Sequence, residues 1–139
     1  MARKICARHG KNYPCSCGMG NLYRFIEPVL LHLLQVKGRS CGYELCDDLQ
    51  AHALTDAEID KAALYRTLRQ LEANGNVKSN WETGGGGPAR RVYRLTRKGE
   101  AHLEEWAVVL AHLSKSMDRF VREVRKPQKK AAAPRSQAA

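Results

Sequence analysis

Residues 61–99, KAALYRTLRQLEANGNVKSNWETGGGGPARRVYRLTRKG, constrain what this chain can fold into more than any other stretch. Leu64, Leu68 and Leu71 recur at i, i+4 and i+7, one apolar stripe along an α-helix. Asp60 stands where an N-cap belongs, and Asn74-Gly75 supply a left-handed stop. Two short runs with branched and aromatic side chains follow, residues 77–82 and 90–95, and both read as strands. Between them GGGGP, residues 84–88, cannot hold a regular element and forms the tip of a hairpin. Alternation in the second run sets Val92, with Arg94, on one side and Arg91, Tyr93 and Leu95 on the other. Thr96 then reads as the N-cap of a further helix.

Charge gives this helix–hairpin unit a partner. It carries nine Lys/Arg against Glu72 and Glu82, and such a surface gains affinity for a polyphosphate by releasing counterions. At about 100° per residue, Ala62, Arg66, Arg69 and Ala73 face away from the leucines, with Tyr65 and Gln70 flanking them. Small Ala62 and Ala63 let the helix backbone approach a groove floor. Arginine pairs with guanine edges or phosphates, and glutamine with adenine. Arg90 and Arg91 stand at the base of the hairpin tip, placed for a DNA backbone or minor groove. Most charged helix faces are only solvated, but a basic helix with a basic hairpin behind it is the outline of a winged helix on double-stranded DNA. The glycine run is not a phosphate-cradling loop, since no Gly-Lys-Ser/Thr closes it.

Upstream, residues 25–37 (FIEPVLLHLLQVK) read as a helix apolar on most sides, with Pro28 in its first turn. Gly38-Arg39-Ser40 ends it, and a second helix runs from about residue 42 to 51. Tyr43, Leu45, Cys46 and Leu49 are available there for packing, Ser40 for capping, and Cys46 reads as a small buried side chain. Cys41 lies nearer that helix's N-terminus, where a thiolate is favoured. The expected fold class is therefore mainly α with a small β-wing: a winged helix-turn-helix domain plus a long C-terminal dimerisation helix.

The net charge of +10 is unevenly spread over the 139 residues. Residues 1–39 hold seven basic residues and one acid, whereas residues 40–60 hold six acids and no base. The acidic block should face away from nucleic acid. No apolar run is long enough to cross a bilayer, so the expectation is a cytoplasmic protein with no membrane partner. No catalytic triad context, carboxylate pair or nucleotide loop marks an enzyme.

Four segments are expected: a Cys/His-rich extension (1–23), the winged helix domain (24–99), a dimerisation helix (100–125) and a basic tail (126–139). In the last helix Leu103, Trp106, Leu110, Leu113, Met117, Phe120 and Val124 alternate at spacings of three and four, a heptad seam for a homodimer. The competing reading is an amphipathic helix packed on its own domain. A dimer presents two recognition helices to successive major-groove faces and so implies an inverted-repeat target. In the extension Cys6, His9, Cys15 and Cys17 place four soft ligands within twelve residues. That set suits tetrahedral zinc; an iron–sulfur cluster, a thiol redox switch and an inert arm are the alternatives.

The combination EPVLLHLL, CGYELCDDL, ALYRTLRQLEANG and GGGGPARRVYRLTRKG with the trailing EEW resembles the PadR family of bacterial transcriptional regulators, over about residues 24–106. The resemblance implies a winged-helix dimer that represses promoters and releases DNA on binding a small-molecule effector. It also implies an aromatic-ligand position at Trp106, whose other reading is a large seam residue. Two departures stand out: Cys41 where the family has His, and Asn76 where it has an apolar residue, which should weaken packing at the start of the wing. The function expected is a sequence-specific regulator. The alternative is an architectural DNA-binding protein or interaction module without operator selectivity.

Overall fold

The computed structural model describes residues 25–54 and 59–127. The elements are α1 (Ile26–Lys37), β1 (Ser40–Cys41), α2 (Gly42–His52), α3 (Lys61–Ala73), β2 (Val77–Glu82), β3 (Arg90–Leu95) and α4 (Arg97–Arg125). The antiparallel sheet has the order β1-β3-β2. The chain divides into two compact units, with the break between Glu105 and Trp106.

In the first unit α1 is the centre of the core because it is apolar nearly all round. Leu30, Leu31 and Leu34 are inaccessible or nearly so, as are Leu45 and Leu49 of α2, Leu64, Leu68 and Leu71 of α3, and Val77 of β2. Truncating a leucine in such a setting costs about 2–5 kcal/mol. The stripe predicted for α3 is thus its buried face. Asp60 caps this helix as expected, its carboxylate accepting from the Ala62 amide at 3.1 Å. At the other end Asn74 and Gly75 return their amides to the Gln70 and Glu72 carbonyls.

Two expectations need correction at α2. Ser40 does not cap it: Cys41 is the N-cap and makes no side-chain cap bond. Instead Ser40 and Cys41 pair with Tyr93 and Val92 of β3, and the Ser40 hydroxyl donates to Glu44 at 3.1 Å. Two residues show no periodicity, so this strand exists only because β3 offers it an edge. Tyr43 is not core packing either; it is 71% exposed. The thiols also depart from expectation, with Cys41 buried and Cys46 half-buried.

Asn76 sits at the start of the wing with its backbone held in place. It is buried, its amide donates to the Leu71 carbonyl at 2.8 Å, and its carbonyl accepts from Thr96 at 3.1 Å. Thr96 is the expected cap: its hydroxyl accepts from the Gly99 amide at 3.0 Å and donates to the Gly75 carbonyl at 2.7 Å. A Cβ on Gly99 would lie 2.1 Å from the Asn76 carbonyl oxygen, so only glycine lets the first turn of α4 come this close.

Within the first unit His102 of α4 contacts Glu27 of α1 and lies 3.5 Å from Glu105. In the second unit, from Trp106 onward, Trp106, Leu110 and Leu113 are half-buried, while Met117, Phe120 and Val124 are exposed.

Candidate nucleic-acid interface

The outer face of α3 is built as its periodicity requires. Ala62, Tyr65, Arg66, Arg69 and Gln70 are exposed. Neither Arg66 nor Arg69 meets an acidic partner among the described residues, which leaves both guanidinium groups available. The Gln70 side chain donates to Asn74 at 3.4 Å. Ala63 departs from the expected set. It is 4% exposed and turned into the core, and its carbonyl accepts from the Thr67 hydroxyl at 2.8 Å. Its position lies on the leucine side of the helix, one residue before Leu64, so its side chain contributes packing rather than contact.

The two hairpin arginines separate into different roles. Arg90 is exposed, with Glu44 at 3.9 Å. Arg91 is tied inward: it donates to Glu72 of α3 and to the Ser79 hydroxyl, each at 2.7 Å. Its guanidinium also lies 6.0 Å from the Trp81 ring centre and 5.8 Å from that of Tyr93, within cation–π range. Ser79 in turn donates to Glu72. Arg91 therefore fastens β3 to α3, and Arg90 is the hairpin arginine left facing outward. On the opposite face of the hairpin Arg39 pairs with Glu82.

Between α2, α3 and the hairpin lies a cleft of about 360 Å³. Its walls include Tyr43, Tyr65, Trp81 and Tyr93, with Arg69, Arg90 and Arg91 around them. Tyr65 is seated against α2 because residue 42 has no side chain; a Cβ there would fall 2.5 Å from the Tyr65 ring. Burial raises the Tyr93 phenol above its ordinary pKa, the nearby Arg91 opposing this, so the hydroxyl stays protonated as a donor. Trp81, 65% exposed, and Tyr43 are surface aromatics that no pattern in the sequence marks as such. The alternation of β2 puts Trp81 on the same face as Ser79, the only signal that could have placed it beside Arg91.

The expected ligands Cys6, His9, Cys15 and Cys17 lie outside the described residues. Among the described residues no cluster of three or more His, Cys, Asp or Glu is arranged to hold a metal ion. No described helix is long and apolar enough to cross a membrane.

Residues 30–105 match the transcriptional regulator PadR-like family. The chain belongs to the PadR-like family. A transcriptional regulator from Clostridium thermocellum is 26% identical, with a TM-score of 0.63 over 70% of this chain and 91% of that one. A PadR family regulator from Eggerthella lenta is 30% identical, with a TM-score of 0.54 over 71% of this chain and 82% of that one. Bacillus subtilis PadR, solved in complex with operator DNA, shares the fold at 18% identity and a TM-score of 0.52, over 81% of this chain and 54% of that one. The PadR match runs from within α1 through the hairpin and into α4, so every element lining the cleft lies within it.

Proposed function

We propose that this PadR-family regulator binds double-stranded DNA sequence-specifically as a homodimer on an inverted repeat and represses transcription there. The observation that carries the reading is the outer face of α3, where Ala62, Arg66, Arg69 and Gln70 are exposed beside the outward Arg90. Those side chains are the types that pair with base edges and phosphates in a major groove. Support comes from the Bacillus subtilis relative, whose structure contains operator DNA.

The homodimer rests on α4. Met117, Phe120 and Val124 are 53%, 68% and 60% exposed and continue the three–four spacing of Leu103, Trp106, Leu110 and Leu113. A soluble helix covers such a stripe by pairing. Release by a small effector beside Trp106 belongs to the same proposal.

Competition binding tests it. A repressor prefers its own promoter over bulk DNA by about 10³-fold or more at physiological salt. A ratio near one replaces it with an architectural, nonspecific DNA-binding protein, the reading that net charge alone supports.

A further inference from the structure

We infer that the cleft between α2, α3 and the hairpin is a binding site for a small planar organic anion. The site is separate from Trp106 and lies on the face through which α3 is proposed to meet DNA. At about 360 Å³ the cleft is within the size range of small-molecule sites and large enough for two fused rings. Its composition selects the ligand class. Four aromatic side chains, Tyr43, Tyr65, Trp81 and Tyr93, offer ring faces, and among the described residues no carboxylate lines the space. Trp81 and Tyr43 keep 65% and 71% of their surface exposed, so the chain leaves unused the stabilisation that covering them would give.

The charge comes from two places. Arg91 is largely neutralised by Glu72 at 2.7 Å and acts as a fixed wall behind the Trp81 and Tyr93 rings. Among the described residues Arg69 has no acidic partner and Arg90 has only Glu44, at 3.9 Å. An anionic group on a planar ligand would thus meet guanidinium donors at the rim while its rings stack within. Because the walls are already held by the Arg91 tie and by Tyr65 against Gly42, little ordering is needed on binding. Since Arg69 and Tyr65 belong to the exposed face of α3, an occupied cleft competes with DNA for them. That competition rests on the DNA reading above; binding to the cleft does not.

Equilibrium dialysis of the full chain with 2-naphthoate and with neutral 2-naphthalenemethanol tests the inference. Naphthoate should bind at one per chain, about tenfold tighter than the alcohol. Trp81→Ala and Tyr43→Ala, both at exposed positions, should each weaken it about tenfold, with the far-UV circular dichroism of the folded chain retained. Naphthoate should also raise the protein concentration needed to retard the chain's own promoter fragment, and should do so less in Trp81→Ala. Equal affinity for acid and alcohol, or naphthoate binding that survives Trp81→Ala but is lost in Trp106→Ala, overturns the site. So does an absence of saturable binding in which Trp81→Ala weakens DNA retardation directly, which assigns the cleft to DNA itself. If the promoter fragment is not retarded without naphthoate, the DNA reading fails while the dialysis result stands on its own.

Discussion

Arg91 of the hairpin and Glu72 of α3 meet at 2.7 Å, and through this pair the two elements proposed to touch DNA are held together. The side chains are 42% and 28% exposed, so solvent screens the attraction and the pair contributes about 0.5–1 kcal/mol to stability. A double-mutant cycle with Arg91→Ala and Glu72→Ala, followed by urea denaturation, should return a coupling of that size. Additive single effects would show that the contact does not tie hairpin to helix.

The arginines on α3 and the hairpin should differ in what they do to DNA. Arg66→Ala and Arg69→Ala should each cost about 1–3 kcal/mol on the operator if they read bases, and less on random DNA. Arg90→Ala should weaken both DNAs alike and lower the salt slope by about one. Arg91→Ala should leave that slope unchanged, because its guanidinium is spent on Glu72 and Ser79. A fall in slope for Arg91→Ala would place it on a phosphate.

Gly99→Ala should be severely destabilising, by about 2 kcal/mol or more, because the new methyl meets a backbone carbonyl oxygen at 2.1 Å rather than a mobile side chain. Thermal melting checks this. A melting temperature equal to wild type would mean that α4 can shift away from Asn76 at no cost.

Phe120→Lys should shift the protein from dimer to monomer in sedimentation velocity while leaving the melting of the first unit in place. Phe120 is 68% exposed, so the substitution removes little packing within its own chain. Persistence of the dimer would remove the heptad seam from the proposal.

Alkaline pH should destabilise the fold. The hydrogen bond to Asp48 raises the Lys37 pKa above 10.5, although burial opposes it. That contribution is complete below the unfolded value and disappears as pH rises through the folded one. Tyr93 acts in the same direction: burial raises its pKa above 10.0, so the unfolded chain ionises first and gains on the folded one. Urea midpoints should hold up to about pH 10 and fall beyond it, and Tyr93→Phe should flatten the fall. A midpoint that rises with pH would contradict both assignments.

The sequence was legible where one periodicity governs one face. Leu64, Leu68 and Leu71 announced α3, Asp60 and Thr96 announced their caps, and GGGGP announced the hairpin. It was silent where a side chain's role depends on a distant partner. Arg90 and Arg91 are adjacent and chemically identical, yet one faces outward and the other is bound to Glu72, nineteen positions away. The backbone bonds from residue 76 to Leu71 and Thr96 cannot be read from the type of side chain there. Ala63 reads as a groove contact beside Ala62, yet only Ala62 is exposed. Tyr43 and Trp81 carry no mark of exposure, since aromatic residues in amphipathic elements are more often buried.

The hairpin is fastened on both faces, by Glu72–Arg91 toward α3 and by Arg39–Glu82 on the other side. Its freedom is therefore surrendered when the chain folds, and little of it remains to be lost at an operator. Complex formation should consequently resemble rigid-body docking, with a heat-capacity change set by the contact area rather than by any coupled folding of the hairpin.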